Sequence, residues 1–309
     1  MARTVRESGE GSSAALSRRR LKQAIIPYLF LAPFVILFVL FLILPLAYAF
    51  GISVFADRLV GGTVFVGFEN YSQSVGDAAF WEGVRRMVLF GIFQVPIMLG
   101  LALAFALLLD SGAAWFTTVF RLGFFVPYAV PAVVAALIWG YLYGPSFGPF
   151  SQIADYLGLP SPAFFSEGWM LPSIANIVTW EFTGYNMIIL YAALQAVPKE
   201  VRDAGAVDGA KEWQIALYIR IPLIFPALLL TGVFSIIGTF QLFNEPRVLQ
   251  AFAPGVIGDD YTPNLYAYTL AFTNQEYNYS AAVSFALGAV VVVFSYVFML
   301  VTNRRQGEG

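Results

Sequence analysis

The sequence contains no cysteine and no histidine. Without cysteine it can form no disulfide, thiolate metal site or cysteine nucleophile. Without histidine it lacks the commonest general base and metal ligand at neutral pH. Charge is scarce too: 12% of the 309 residues are charged, against ~25% in soluble domains. An intramembrane hydrolase or a proton-relay pump would find few groups to work with. No internal repeat of 20–50 residues is visible. The first apolar run is too long and too far from the N-terminus for a removed signal peptide, and no small-residue cleavage site stands out.

What the chain does have is apolar length. It is 59% hydrophobic, and charge-free windows run 23–56, 87–109, 122–154, 221–244 and 277–303, with 168–198 interrupted only by Glu181. Each exceeds the roughly 20 residues that cross a bilayer as helix. The windows predict an all-α polytopic membrane protein with six transmembrane helices, at about 25–54, 86–109, 122–143, 171–194, 221–244 and 279–302. Buried core helices of a soluble protein seldom need so many windows of this length. Residues 1–22 are polar and rich in Arg, Ser and Gly, and are expected to be a disordered N-terminal segment.

Lysine and arginine near the span ends set the orientation. With six spans the termini share a side, and that side collects thirteen of the seventeen basic residues; Arg58, Arg85, Arg86 and Arg247 fall on the other. Both termini and the 195–220 loop are therefore expected in the cytoplasm. Trp81, Trp169, Tyr143 and Tyr277 sit where interfacial aromatics anchor a span.

Inside the spans, Pro96, Pro127, Pro131 and Pro226 each remove a backbone donor and bend a helix. Pro127-Tyr128-Ala129-Val130-Pro131 puts two breaks four residues apart around a tyrosine, which suggests broken helix beside a cavity. The fourth span gathers Trp180-Glu181-Phe182-Thr183-Gly184-Tyr185-Asn186. The fifth carries Ser235, Thr239 and Gln241 near one face. Sugars suit such a lining, because their hydroxyls need hydrogen-bond partners and their C–H faces stack on rings. Serine and threonine in membrane helices also bond neighbouring backbone, and intramembrane aromatics also pack. An ionisable group inside a span points to function by default. Glu181 is thus either a substrate contact or the ion-pair partner of Arg85 or Arg86.

Residues 197–226 form a charged, glycine-punctuated stretch between two apolar runs, and its Asp208-Gly209-Ala210, Ile219 and Pro222 resemble the "EAA" loop of binding-protein-dependent ABC importer permeases. Other segments resemble the carbohydrate-uptake branch, of maltose or oligosaccharide type. They are Phe65-Val66-Gly67-Phe68-Glu69-Asn70-Tyr71, Phe120-Arg121 through Pro127-Tyr128 to Trp139, and Leu194-Gln195-Ala196-Val197-Pro198-Lys199-Glu200. Together they cover about residues 25–305. Two departures occur in the loop: Asp203-Ala204-Gly205 stands for Glu-Ala-Ala, and Ala216 stands where an aromatic is usual.

The resemblance implies an ABC importer type I permease fold over residues 23–305, and a short cytoplasmic tail at 306–309. That short tail resembles the tail-less first permease subunit, which implies a heterodimer with a second permease. An ATP-binding subunit dimer and an extracytoplasmic solute-binding protein complete the implied assembly in a bacterial or archaeal cell membrane. The chain would be no enzyme and hold no cofactor or metal, ATP and Mg being bound by the partner ATPase. Coupling to that ATPase is implied for Asp203, Ala204, Gly205, Asp208, Gly209, Ala210, Ile219 and Pro222. Substrate contact is implied for Tyr128, Ala132, Glu181, Phe182, Tyr185, Ser235 and Thr239, with residue type kept at Tyr128, Tyr185 and Ser235. The cargo is expected to be a sugar or oligosaccharide. A glycerol phosphate or polyol is the alternative within the class, although a dianion would want a basic residue at mid-span. An ion-driven secondary transporter is the alternative outside it, although such carriers place acids or histidines in several helices.

Overall fold

The computed structural model describes residues 26–58, 60–111 and 116–304. The expected disordered segment 1–22 and tail 306–309 lie outside these residues. The described chain is helical apart from one small hairpin. Its elements are α1 (Ile26–Ser53), β1 (Phe55–Arg58), β2 (Gly62–Phe65), α2 (Glu69–Gly76), α3 (Ala78–Asp110), α4 (Thr117–Ala129), α5 (Ala132–Leu142), α6 (Pro149–Tyr156), α7 (Glu167–Gln195), α8 (Lys199–Val207), α9 (Glu212–Ile215), α10 (Ile221–Phe240), α11 (Asn244–Leu249), α12 (Pro263–Phe272) and α13 (Tyr277–Arg304). A π-helical turn, Ala216–Arg220, joins α9 to α10.

Four helical stretches are long and apolar enough to cross a membrane: Ile26–Ser53, Ala78–Asp110, Glu212–Leu249 and Tyr277–Thr302. The pair α4 and α5, bent by 95° at its break, makes a fifth if counted as one span. The remaining expected span, 171–194, falls within α7. Helix α7 has the length, 29 residues, but its middle carries Glu181, Thr183 and Asn186, which are buried inside the protein. Its polarity faces protein rather than lipid.

The spine of the molecule is the pair α3 and α7. Ala102 and Ala106, one helical turn apart on α3, are fully buried with Met187, Leu190 and Leu194 of α7. Small residues let the two backbones approach closely, as membrane helices require when lipid is as apolar as leucine. Helix α4 crosses α7 at Gly184, where even a Cβ would overlap the Phe124 carbonyl. By contrast α1 stands apart: none of its apolar stretch is buried within the chain, and its last turns meet α13.

Helix α3 begins eight residues before the expected edge at 86, because Asp77 caps it. The Asp77 Oδ1 accepts from the backbone N–H groups of Ala79 (2.9 Å) and Phe80 (3.3 Å). Its Oδ2 accepts from the hydroxyls of Tyr266 (2.7 Å) and Tyr279 (2.6 Å), tying α3 to α12 and α13. Partial burial pushes this carboxyl up, but the hydrogen bonds from Tyr279, Tyr266 and the two backbone groups outweigh it and hold the group below its ordinary value of 3.8. A depressed carboxylate stabilises above its unfolded value, so the clamp is complete at neutral pH and is lost as pH falls through the lower folded-state value.

The hairpin was not anticipated from the apolar windows. It pairs Phe55 with Phe65 and Arg58 with Gly62, and the Phe65–Tyr71 motif closes it. The buried Asn70 amide donates to the carbonyls of Ser53 (2.8 Å) and Phe55 (2.7 Å). Tyr71 shares a 2.7 Å hydrogen bond with the Ser53 hydroxyl. The motif fastens the outgoing chain to the end of α1, so its role in this molecule is architectural.

Candidate functional site

Two helix breaks build a chamber. The first lies between α4 and α5. A residue before proline avoids the α region, and Val130, before Pro131, is extended at φ −76° and ψ 128°. Pro131 then caps α5, where its missing N–H costs nothing. The second break, at 241–243, ends the fifth span at Phe240 instead of 244. Pro246 explains it. In a continuous helix it would leave the Leu242 carbonyl without a donor; in the first turn of a new helix from Asn244 it needs none. The Leu242 carbonyl accepts from the Thr262 hydroxyl at 3.0 Å, and the Gln241 carbonyl accepts from the Asn264 amide at 3.2 Å. Polar loop groups thus satisfy the backbone that the break frees, as irregular structure at membrane depth demands.

Between the breaks lies a cavity of about 380 Å³, lined among others by Tyr128, Ala132, Phe182, Tyr185, Ser235 and Thr239. Six of the seven residues singled out as substrate contacts are therefore together on one surface. Tyr128 stacks on Tyr185 with ring centres 4.6 Å apart, and Phe182 meets Tyr128 edge-on at 5.7 Å. The Ser235 and Thr239 hydroxyls donate to the carbonyls one turn back, Thr231 at 2.8 Å and Ser235 at 3.0 Å. What they offer the chamber is their lone pairs.

Glu181 is the exception. It is 3% exposed, is not among the residues lining the cavity, and neighbours Glu245. It makes no ion pair with Arg85 or Arg86, which overturns that alternative. Both arginines bind Glu82, at 2.7 and 3.2 Å. Arg86 also donates to the Tyr261 carbonyl at 2.7 Å and lies over the Tyr261 ring.

Gln94, Asn244 and Glu245 also line the chamber and were not among the residues chosen from sequence. Gln94 was visible as the only strongly polar side chain in the window 87–109. Glu245 was hidden because it is the first charge after the fifth window, where a charge reads as the start of a loop.

The other constellation is the 195–220 segment. Helix α8 ends in a paired cap: the Gly209 N–H reaches the Ala206 carbonyl (3.1 Å) and the Ala210 N–H reaches the Gly205 carbonyl (3.0 Å). This geometry calls for a left-handed residue, and Gly209 has φ +79°. Nothing lies within 4 Å of a Cβ built there, so the conformation requires the glycine, with no steric contribution. Gly205 is buried and a Cβ on it would meet Ile219 Cδ1 at 3.0 Å. The departure from Glu-Ala-Ala at this position lets α8 pack on the turn that carries Ile219. Asp203, Ala204, Val207, Asp208 and Gly209 remain exposed, Pro222 lies in the first turn of α10, and Arg202 bridges to Glu212 at 3.0 Å.

Where this segment re-enters the bundle, Arg220 forms an ion pair with Asp110 at the end of α3, both side chains being under 10% exposed. Gln195, the last residue of α7, donates to the same carboxylate. Three helix ends meet at one buried charge.

The family described as binding-protein-dependent transport system inner membrane component matches residues 96–305. The chain belongs to this family. The permease is 29% identical over 284 residues to the lactose transport system permease protein LacF of Rhizobium radiobacter, covering 90% of this chain and 94% of that one. It is 30% identical over 290 residues to the arabinooligosaccharides transport system permease protein AraP of Bacillus subtilis, covering 92% and 90%. Its fold matches a chain of a bacterial ABC transporter involved in the import of the acidic polysaccharide alginate, with a TM-score of 0.80, 18% identity and coverage of 93% and 98%. The permease therefore has an ABC importer permease fold and is a multi-pass membrane protein.

Proposed function

We propose that the permease forms half of the translocation path of an ATP-driven importer for a sugar or oligosaccharide. The observation that carries this is the chamber. It combines a stacked tyrosine pair, hydroxyl and amide groups and a buried acid at two helix breaks, as a polar ring-shaped cargo needs. The sugars named for LacF and AraP support the same reading. Alginate, named for the structural neighbour, does not enter it, because 18% identity carries the fold alone. The exposed turn at Val207–Gly209 is the coupling element for a separate ATP-binding subunit dimer. A second permease and an extracytoplasmic solute-binding protein complete the assembly, with both termini in the cytoplasm.

Replacing Tyr185 tests the chamber. Losing a contact to a buried sugar costs ~1–3 kcal/mol, so Tyr185→Ala should lower sugar uptake by the reconstituted complex about tenfold or more. Basal ATP hydrolysis should remain. Thr239→Val, which removes one lone-pair donor and keeps the shape, should cost less. Parental uptake by both variants would place the site elsewhere.

A further inference from the structure

Three arginines at the expected outer ends of the spans are engaged with other side chains. Arg85 and Arg86 are held by Glu82, and Arg247 donates to Gln250 at 2.7 Å. No lysine or arginine lines the cavity among the described residues. Its acid is well placed: Glu245 is 5% exposed and stands at the wall, backed by Glu181. Glu181 adds a second observation, since its Oε2 is buried with no hydrogen-bond partner among the described residues.

The neutral groups lean the same way. The Gln94 amide donates to Thr179 and the Asn186 amide to the Phe182 carbonyl, while the Ser235 and Thr239 protons are engaged within α10. The donors left on the wall are uncharged. A carboxylate, sulfate or phosphate ligand can only accept hydrogen bonds, whereas a hydroxyl also donates and an ammonium group only donates. Ionised or sharing a proton, the acid pair supplies no positive charge to repay the desolvation of an anion.

We propose that Glu245, backed by Glu181, determines the charge specificity of this chamber: it admits neutral and amine-bearing sugars and excludes acidic ones. The proposal rests on the sugar reading of the same cavity and names the class within it. Glu245 acts by direct contact and Glu181 by positioning it.

The test is equilibrium binding of maltotriose, the fully deacetylated chitosan trimer and trigalacturonate to the purified complex without its solute-binding protein. The parent should bind the neutral and cationic trimers at least about tenfold more tightly than the acidic one, a difference of ~1.4 kcal/mol. Glu245→Gln, and Glu181→Gln with it, should shrink that ratio to about threefold or less. The thermal midpoint of each variant reports whether it folds. Should neither variant fold, the parental ratio decides alone. Equal binding of acidic and neutral trimers by the parent overturns the proposal, and so does a ratio that survives removal of both charges. If no trimer of any charge binds, the sugar reading itself fails and takes the proposal with it.

Discussion

Gly184→Ala is expected to be among the most damaging single changes in the permease, although it adds one methyl group. The new Cβ would occupy the position of the Phe124 carbonyl oxygen, with the Phe125 nitrogen only 3.0 Å away. These are backbone atoms of α4, so no side chain can rotate aside, and α4 and α7 must separate. Overpacking a tight contact costs ~1–3 kcal/mol, occasionally more, and separation here also disturbs the Tyr128–Tyr185 stack at the chamber wall. The expected result is a marked fall in the thermal midpoint of the purified protein and in uptake. Gly100→Ala is the control. Nothing lies within 4 Å of a Cβ at Gly100, and in a helix interior alanine is favoured over glycine by ~1 kcal/mol. Equal midpoints for the two variants would show that the α4–α7 crossing is not as close as described.

Breaking the Asp110–Arg220 pair should be comparably costly. With both side chains buried, Arg220→Ala leaves Asp110 supported, among the described residues, by Gln195 alone, and removing one partner of a buried pair costs ~3–5 kcal/mol. Replacing both, as Asp110→Leu with Arg220→Met, removes the stranded charge and should recover much of the loss. A double-mutant cycle on thermal unfolding measures this, and strict additivity of the two single losses would argue against the pair. The site also has a transport consequence. Arg220 ends the π-helical turn that follows the exposed loop, while Asp110 and Gln195 end the two spine helices. A variant that still folds should therefore hydrolyse ATP with less uptake per ATP.

Much of this was legible in the residues. The charge-free windows located the long helices, and Pro131 located the first break, whereas Pro127, expected to make a break of its own, lies inside α4. Polar side chains at mid-span located most of the chamber wall. The second break was not found, because Pro246 lies just past an apolar window and its effect falls on carbonyls four residues earlier. The β-hairpin was missed because its two four-residue strands carry no long alternation. Glu181 was read as an ionisable group inside a span, facing either substrate or one of Arg85 and Arg86, and the second alternative fails because both arginines bind Glu82. Arg85 and Arg86 are close in span order, yet each had Glu82 within one turn of its own helix, and sequence-local pairs form first on a helix surface. The Asp110–Arg220 pair joins residues far apart in the chain, each at the edge of an apolar window, where a charge looks unremarkable.

The measurement that bears most directly on the central claim is the energy source of sugar uptake by cells carrying the complete system. In one arm an uncoupler collapses the ion gradients while ATP is maintained; in the other ATP is depleted while the gradients are sustained. The account predicts that uptake persists in the first arm and stops in the second, and that Gly209→Trp, which forces a bulky residue into a left-handed position at the coupling turn, lowers uptake in the first arm without removing the protein from the membrane. Uptake that stops with the uncoupler and continues without ATP would contradict it.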